Sequence, residues 1–377
     1  MRAAWRPPAK VTPSAWAETS RIVSKDAAEQ GPYSFLRAPY AREIVDCFGA
    51  QDPVQEIVLM CSARVSKTEI IRRGIGYTIA HDPKPVLIVF PDEATAKRQV
   101  SREILPMIEG HADLACYLTP SAHDLTKDQI ALAHMNLYPA WAGSAQATAD
   151  RTIGLCCLDE IDKYADYAGR DAGAIDTAPR RTETFKHRRK VIWSSTPTAG
   201  DGPIARLWKS CSEHRYWHVP CPSCGVAQRL TMSGIKWAHL AGESKRQTAD
   251  RVEATLGAQY ECAACKAVIS EDKAPAMAAG GSWVSDLPHG APRPLWRGYH
   301  LSMLNSLLGR GWSSIAAQFL RALAATDAGD LSPLQEFTNQ VLGEPFELVD
   351  PSATLRDDSL ATKVARGYPA RVVPKWA

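Results

Sequence analysis

The first 200 residues of the chain contain four short runs of apolar residues. Each run is long enough for a strand and too short for a typical helix. Runs that are apolar at every position, instead of at alternate positions, are characteristic of parallel strands covered on both faces. The predicted strands are EIVLM (56–60), PVLIVF (85–90), IGLCCLD (153–159) and KVIWSST (190–196).

Helical spacing of apolar residues fills the intervals around these strands. The clearest case is EIIRRGIGYTIAH (69–81), between the first two strands. DEATAKRQVSREILPMIE (92–109) follows the second strand, YAREIVDCF (40–48) precedes the first, and SSIAAQFLRALAAT (313–326) lies near the end. Alternating strands and helices predict an α/β fold, with a parallel sheet flanked by helices.

The composition is that of an ordinary globular protein, with 45% hydrophobic and 23% charged residues in 377. This length favours two or three domains. The sequence shows no secretory signal and no run of eighteen apolar residues, so we expect a cytoplasmic protein. Because the net charge is only +3, contact with nucleic acid would require a local basic patch.

The loop after the first strand reads CSARVSKT (61–68). It approaches the phosphate-binding pattern GxxxxGK[ST], in which glycines let backbone N–H groups wrap phosphates and the lysine reaches them. Lys67 and Thr68 are present, but Cys61 and Ser66 occupy the glycine positions. A non-glycine residue with left-handed backbone costs about 1–2 kcal/mol, which weakens such a loop without abolishing it. The alternative is a simple helix N-cap with an exposed lysine.

An apolar strand that ends in acid, CCLDEID (156–162), supplies the second half of such a site. Asp159 is predicted to hold Mg²⁺, and Glu160 to orient and deprotonate an attacking water. Ser195 and Thr196, at the end of the next strand, are predicted to sense the γ-phosphate. The alternative is a buried strand that runs into an acidic loop.

Four of the ten cysteines form two CxxC pairs, Cys221 with Cys224 and Cys262 with Cys265. Two such pairs are the ligand set of a structural tetrahedral zinc site. His218 is close enough in sequence to replace one ligand. The alternative is a set of buried free cysteines.

The segment PRRTETFKHRRK (179–190) concentrates positive charge. Such a run is usually a solvated face, but it could also follow the phosphate backbone of double-stranded DNA without reading its sequence. Its basic residues are Arg180, Arg181, Lys186, Arg188, Arg189 and Lys190.

Together these motifs resemble the large terminase subunit of tailed phages, of the lambda-like GpA type. The resemblance extends from about residue 38 to the end. The segments that carry it are PYAREIVD, SARVSKTE as a deviant Walker A loop, LDEID as Walker B, SSTPT as the coupling motif, HVPCPSCG with ECAAC as zinc-binding pairs, and FTNQVLGEPFE.

The resemblance implies a P-loop NTPase of the RecA/terminase type, with a zinc-ribbon-like subdomain. The implied activity is that of an ATP- and Mg²⁺-dependent motor that moves double-stranded DNA into an empty procapsid. The implied partners are the small terminase subunit, the portal and further copies of the chain. Family loops of this kind often lack the first glycine and carry an early Arg or Gln, whereas Ser66 in place of the second glycine is a departure.

The resemblance also assigns residues. Lys67, Glu160 and Arg64 are the implied catalytic residues, and Thr68 joins Asp159 as a magnesium ligand. Tyr40 and Arg42 match the stretch that contacts adenine in the family. The implied nucleotide-binding set is Tyr40, Arg42, Cys61, Ser62, Ala63, Arg64, Val65, Ser66, Lys67, Thr68, Asp159, Ser195 and Thr196.

The expected domains are a flexible tail (1–34), an ATPase core (35–200), a zinc-binding subdomain with the C-terminal part of the ATPase region (201–345), and a linker (346–377). Full-length family members carry a C-terminal nuclease, whose acidic catalytic residue follows a strand beyond the region that matches ARGYPARVVP (365–374). The sequence ends before that strand. We therefore expect no nuclease activity.

Two other functions are compatible with these motifs. A helicase-like ATPase that remodels nucleic acid would be expected to show further arginine-bearing motifs in a second RecA-like domain, and no second set of Walker motifs follows residue 200. A nonenzymatic zinc-ribbon DNA-binding scaffold with a degenerate P-loop is supported by Ser66. The joint presence of Lys67, Thr68, Asp159 and Glu160 favours catalysis.

Overall fold

The computed structural model describes residues 11–22, 31–121, 125–126, 128–144, 151–165 and 173–347. The strands, in chain order, are β1 (Arg21–Ile22), β2 (Gly31–Pro32), β3 (Glu56–Cys61), β4 (Val86–Phe90), β5 (Ile130–Leu132), β6 (Met135–Trp141), β7 (Leu155–Asp159), β8 (Lys190–Ser195), β9 (Glu213–Pro220), β10 (Ala227–Arg229), β11 (Ile235–Trp237), β12 (Ala258–Glu261), β13 (Val268–Ile269), β14 (Ser282–Ser285) and β15 (Trp296–Leu301).

Helices cover the faces of the sheet. The α-helices are α1 (Pro13–Thr19), α2 (Ala41–Asp46), α3 (Lys67–His81), α4 (Glu93–Gln99), α5 (Leu105–Glu109), α6 (Ala112–Ala115), α7 (Ala174–Thr177), α8 (Pro203–Lys209), α9 (Lys245–Ala254), α10 (Ala274–Ala279), α11 (Trp312–Asp327) and α12 (Ser332–Phe337). The 3-10 helices are Phe35–Arg37, Ile161–Lys163, Pro179–Arg188, Met232–Gly234, Glu271–Lys273 and Met303–Asn305, and π-helical turns occupy Val100–Ile104 and Thr338–Leu342. No helix within the described ranges has the length and apolarity needed to cross a membrane.

A ten-stranded sheet forms the centre of the molecule, with the strand order β10-β9-β15-β3-β8-β7-β4-β6-β5 and with β14 paired to β9. All pairs from β9 to β6 along this order are parallel. The four strands predicted from apolar runs are β3, β4, β7 and β8, and every residue in them is buried. The predicted α/β class with a parallel sheet is confirmed.

The N-terminal segment is packed on this core, so the expectation of a flexible tail over 1–34 is wrong for residues 11–22. Trp16 in α1 is only 1% exposed. A Cβ atom at Gly76 in α3 would overlap its ring, so glycine allows the close approach. Ser14 also donates hydrogen bonds from its N–H and hydroxyl to the Asp46 carboxylate, at 2.8 and 2.9 Å. Sequence reasoning missed this helix because its apolar face is only one turn long.

The boundary expected at residue 200 cuts through the central sheet. β15 pairs in parallel with β3 over residues 296–301, and β9 extends the sheet beyond β15. The part of the chain after 200 therefore completes the α/β core, since β9, β10, β14 and β15 all belong to the central sheet. A second, three-stranded sheet, β11-β12-β13, carries one of the CxxC pairs.

Candidate nucleotide site and cysteine cluster

The candidate nucleotide site lies at the carboxyl edge of three neighbouring strands, β3, β8 and β7. Because these strands are parallel, the loop after β3, Thr196 after β8 and Glu160 after β7 come together at one edge. Ligands of open α/β sheets bind at this edge. The predicted pieces, far apart in sequence, thus form one site.

Lys67 is buried and hydrogen-bonded at the centre of these three segments. Its side chain is 7% exposed, and Nζ donates to Ser62 O at 2.8 Å, Cys61 O at 3.2 Å and Thr196 Oγ1 at 2.7 Å. The Glu160 carboxylate lies 4.0 Å from Nζ. A buried ammonium group is costly unless it is paired and hydrogen-bonded. These contacts hold the charge of Lys67 beneath the loop.

The loop adopts the backbone of a phosphate-binding turn without its glycines. Arg64 and Ser66 have φ values of 57° and 62°, in the left-handed region. Successive N–H groups in such a turn form an anion-binding concavity, and the N-terminus of α3 adds a favourable dipole. Within the described part of the chain, the amides of Arg64, Val65 and Ser66 donate to no acceptor. They are therefore available to phosphate oxygens.

The other loop residues anchor the turn to its surroundings. Ser62 N–H donates to Leu301 O, and Ala63 N–H donates to Gln340 O, each at 2.9 Å. Cys61, which we placed at the first glycine position, is the last residue of β3. It does not have positive φ, so no glycine is needed there. Burial raises the pKa of its thiol to about 12.

Strained backbone is concentrated at this site. Of the six non-glycine residues with positive φ among those described, three are Arg64, Ser66 and Glu160. Glu160 has φ 56° and ψ 46° directly after β7. Such conformations cost about 1–3 kcal/mol each and persist where surrounding structure imposes them, often at functional sites. The turn directs the Glu160 carboxylate toward Lys67 and also toward Lys163, whose Nζ lies 3.1 Å away.

Asp159 has the environment of a metal ligand. It is 6% exposed, and its Oδ1 atom is buried without a hydrogen-bond partner among the described residues. Its Oδ2 accepts from Thr68 Oγ1 at 3.5 Å. Burial, together with the Glu160 carboxylate, raises the pKa of Asp159 to about 6, and the Lys67 charge opposes this shift. A hard cation such as Mg²⁺, which prefers oxygen ligands, fits this pair.

Arg64 is exposed and makes no ion pair among the described residues, while its carbonyl accepts from Ser306 Oγ at 2.7 Å. A free guanidinium beside the phosphate-binding turn is positioned to meet developing negative charge.

The structure does not support the adenine assignment of Tyr40 and Arg42. The Tyr40 side chain is fully buried and packs edge-on against Trp217. Arg42 points to the N-terminal segment instead, where it pairs with Glu18 at 2.7 Å and lies over the Phe35 ring. A base could not stack on Tyr40 without displacing this packing.

Asp162 is a residue of the site that sequence reasoning missed. Its Oδ2 accepts from both Thr198 N and Thr198 Oγ1 at 2.9 Å, and its Oδ1 accepts from Ile204 N at 2.8 Å. Its own N–H donates to Ser195 Oγ at 3.1 Å. The signal was the third acid of the DEID motif, Asp162, which ties the turn after β7 to the loop after β8.

The four predicted cysteines form one cluster, with all four Sγ atoms within 4.8 Å of one another. Cys221 Sγ lies 3.8 Å from Cys265 Sγ, and Cys224 Sγ lies 3.9 Å from Cys262 Sγ. Zinc–sulfur bonds of about 2.3 Å in a tetrahedron place the sulfur atoms about 3.8 Å apart. The donor set and its spacing therefore fit zinc, and His218 is not part of the cluster.

Both CxxC pairs sit in turns of the same design. In each, the N–H of the first cysteine donates to the carbonyl five residues later, and its carbonyl accepts from the N–H four residues later. The residue four positions after the first cysteine, Gly225 in one turn and Lys266 in the other, has positive φ. Hydrogen bonds from the backbone N–H groups of Cys265 and Ala264 lower the pKa of Cys262 to about 6. The two turns bring the four Sγ atoms together in one cluster.

The basic segment before β8 is only partly available to a partner. Lys190 is 1% exposed and donates to the carbonyls of Asp52 and Val54, so our inclusion of it in a DNA-binding surface is wrong. Arg188 pairs with Asp82 and Arg189 with Glu56. Arg180 and Lys186 are exposed and form no ion pair with the described acidic residues.

Comparison with known proteins gives sequence matches to phage terminases. A model of the phage terminase large subunit gpA ATPase domain matches residues 27–283. The terminase large subunits of Escherichia phage lambda and Enterobacteria phage P21 are 23% and 22% identical over 248 residues. Each alignment covers 63% of this chain, which spans 38% of the length of these curated relatives.

Two solved structures show weak overall similarity. The HK97 bacteriophage large terminase has a TM-score of 0.39 and 16% identity, covering 52% of this chain and 39% of that one. The Thermus phage P74-26 large terminase ATPase domain has a TM-score of 0.40 and 10% identity, covering 78% of this chain and 90% of that one.

The expectation that the nuclease part is missing is wrong. A model of the terminase large subunit gpA endonuclease domain matches residues 296–377. Our reasoning sought an acidic residue after a later strand and assigned everything from 296 to 345 to the ATPase region. Within this match, β15 is a strand of the central sheet, and residues 348–377 lie outside the described ranges.

The ATPase-domain model covers more than half of the chain, and the matched range includes Lys67, Glu160 and Thr196 at the carboxyl edge of the sheet. On this evidence, the chain belongs to the phage terminase large subunit gpA family.

Proposed function

We propose that this chain is the ATP-hydrolysing motor subunit of a phage terminase, which moves double-stranded DNA into a procapsid. The observation that carries this proposal is the convergence of Lys67, Thr196 and Glu160 at the carboxyl edge of three adjacent parallel strands. This is the arrangement that phosphoryl transfer to water requires, because catalysis depends on positioning and charge stabilisation. Membership of the gpA ATPase family supports the same function.

The reaction is attack of water on the γ-phosphorus of ATP, which yields ADP and phosphate. The free amides of the turn and the Lys67 ammonium group bind phosphate oxygens. Glu160, whose side chain is 24% exposed, accepts a proton from the attacking water. Arg64 places a further positive charge beside the loop, where negative charge increases in the transition state.

Two metal ions are part of the proposal. The Thr68 hydroxyl and the Asp159 carboxylate would hold Mg²⁺, which neutralises phosphate charge when bound. The four cysteines would hold zinc in a structural role, since all four tetrahedral positions are filled by protein ligands. Zinc would link the β9–β10 turn to the β12–β13 turn, which are joined by a long intervening segment.

The partners follow from family membership and from charge. Double-stranded DNA would be bound without sequence preference, and Arg180 and Lys186 are exposed basic residues of the segment before β8 that form no ion pair with the described residues. The small terminase subunit, the portal and further copies of the chain are the proposed protein partners. The proposed place of action is the host cytoplasm.

The test is steady-state ATP hydrolysis with Mg²⁺ by the unaltered chain, Lys67→Ala and Glu160→Gln. Loss of a general base typically costs about 10²–10⁴-fold, so we expect a decrease of that order for Glu160→Gln, with nucleotide binding retained. Matched controls are Lys97→Ala and Glu93→Gln, which alter an exposed pair on α4. If Glu160→Gln hydrolysed ATP as fast as the unaltered chain, Glu160 would not be the general base.

A nonenzymatic zinc-containing scaffold is the second candidate, and one observation favours it. Ser66 holds a left-handed backbone that glycine would adopt at lower cost. In that case the chain would bind DNA and zinc, and neither Lys67→Ala nor Glu160→Gln would change its binding of either.

A further inference from the structure

The segment 338–347, here called the strap, crosses the candidate nucleotide site. It begins at the π-helical turn Thr338–Leu342 and contains most of the FTNQVLGEPFE motif. Its first contact is with the phosphate-binding turn, where Gln340 O accepts from Ala63 N at 2.9 Å. The strap therefore bonds directly to the loop that would hold phosphate.

Gly343 fixes the strap closely against this loop. It has φ 68°, and a Cβ atom added there would lie 2.5 Å from Ser62 N and 3.0 Å from Cys61 C. Only glycine fits, both for backbone conformation and for space. The Gly343 carbonyl also accepts from His300 Nε2 at 3.1 Å, at the end of β15.

The other end of the strap contacts the loop after β8. Phe346 N donates to Thr198 O at 3.1 Å, and Phe346 forms a parallel bridge with Ala199. Glu347 packs so closely on Gly200 that a side chain at 200 would overlap it. The strap thus spans from the loop after β3 to the loop after β8.

Thr198 is held from two sides. Its carbonyl accepts from the strap, while its N–H and hydroxyl donate to the Asp162 carboxylate. Asp162 follows Glu160 by two residues and also bonds Ser195. A continuous set of hydrogen bonds therefore joins the turn that carries Glu160 to the strap.

Lys67 contacts residues that lie next to both ends of the strap. Its Nζ bonds Ser62 O, beside Gly343, and Thr196 Oγ1, two residues before Thr198. A phosphate bound by Lys67 would replace some of these bonds with bonds to the nucleotide. A ligand shifts a conformational equilibrium through such differential contacts.

We propose that the strap, together with Asp162 and Thr198, transmits the nucleotide state of the site to the part of the chain that follows residue 347. Asp162 is a positioning residue in this scheme, because it acts through Thr198. The inference rests on the proposed function, since it requires that nucleotide binds at Lys67. Its specific content is that residues 338–347 respond to that nucleotide.

The test is hydrogen exchange of the full chain, with and without adenylyl-imidodiphosphate and Mg²⁺. We expect the exchange rate of amides in 338–347 to change by about fivefold or more on nucleotide binding, which is the lower range of typical coupling. Binding itself is measured separately, by fluorescence of a labelled ATP analogue. Binding without any change in 338–347 overturns the inference and leaves the proposed function standing, whereas absence of binding overturns both.

Two variants test whether the response of the strap depends on Gly343 and Asp162. Gly343→Ala, in which the added Cβ displaces the strap from Ser62, is expected to lose the exchange response, and nucleotide binding is measured on the same variant. Its control is Gly329→Ala, which changes another positive-φ glycine (φ 89°) that has open space around it. If Gly343→Ala does not fold, Asp162→Ala, which leaves the strap sequence intact, is expected to reduce the response in the same way. If either variant folds and still shows the full change in hydrogen exchange on nucleotide binding, the proposed route through Gly343 and Asp162 is wrong.

Discussion

Lys67 Nζ lies 2.7 Å from Thr196 Oγ1, so the residue that follows β8 contacts the lysine of the loop after β3. The contact joins two motifs that are separated by 129 positions in the sequence. We predict that Thr196→Val lowers the turnover number by about tenfold or more, because a hydrogen bond to a charged group contributes about 1.5–3 kcal/mol. Nucleotide affinity should change little. The measurement is steady-state ATP hydrolysis. The control variant is Thr326→Val, because the Thr326 hydroxyl bonds only a carbonyl of its own helix. Equal turnover numbers in the two variants would contradict the prediction.

Ser66→Gly should stabilise the folded chain. Ser66 has φ 62° and glycine removes about 1–2 kcal/mol of left-handed strain, part of which is offset by the greater entropy of glycine in the unfolded chain. We expect a net gain of about 1 kcal/mol in the free energy of unfolding, measured by urea denaturation. Ser270→Gly, at a residue with φ −78°, should instead lose stability. A decrease in both variants would show that the loop carries no strain.

Zinc removal should unfold the cysteine cluster. The unaltered chain should contain one zinc ion per molecule by elemental analysis, and Cys262→Ser should contain little, because one of four thiolate ligands is lost. Chelation should also lower the thermal midpoint of the unaltered chain, since metal binding contributes to folding. Cys116→Ser, which changes an exposed cysteine outside the cluster, should keep the metal. A metal-free chain with an unchanged midpoint would exclude a structural zinc.

His300 should make the chain sensitive to acid. Burial, with the charge of Arg229 beside it, lowers the pKa of His300 to about 3, while in the unfolded chain it is about 6.5. The folded state therefore binds fewer protons between pH 6.5 and 3, and stability falls as the pH decreases through that window. Other carboxyl groups titrate there too, so the informative quantity is the difference between the unaltered chain and His300→Gln.

Between pH 7 and 4.5, the unaltered chain should lose about 2–3 kcal/mol more of its unfolding free energy than His300→Gln does. The neutral form is also required by its partners, since Arg229 Nη2 lies 3.1 Å from Nδ1 and Nε2 faces the Gly343 carbonyl. Parallel loss of stability in the two proteins would show that His300 is protonated in the folded state.

Gly76→Ala should destabilise the chain through Trp16. A methyl group at 76 would overlap the Trp16 ring, and overpacking of a core typically costs about 1–3 kcal/mol. In a Trp16→Ala background the same change should become stabilising, because alanine is a better helix former than glycine. The double-mutant cycle is measured by denaturant unfolding. Additive effects would mean that α1 does not pack on α3 in solution.

The sequence predicted the structure best where one physical cause sets both the local residue pattern and the local structure. Buried parallel strands are apolar at every position, so β3, β4, β7 and β8 could be located from their side chains alone. The two CxxC pairs could likewise be assigned to one cluster. Each pair forms a short turn whose geometry is local, and two such pairs together make the ligand set of a tetrahedral site.

Features that depend on tertiary contact could not be obtained in this way. Trp16 is buried because Gly76 leaves space on α3, and nothing near Trp16 indicates this. Lys190 resembles its exposed basic neighbours in sequence, yet the carbonyls of Asp52 and Val54 hold it inside. The strap was recognised as a motif, but its contact with the phosphate-binding loop follows from β15, which inserts beside β3 from the far end of the chain.

The measurement that tests the central claim most directly is ATP hydrolysis by the purified chain with Mg²⁺, in the presence and absence of linear double-stranded DNA. Our account predicts hydrolysis that increases when DNA is added, and loss of that hydrolysis in Lys67→Ala. A chain that neither binds nor hydrolyses ATP, even with DNA and a small terminase subunit present, would contradict it and would favour the nonenzymatic scaffold.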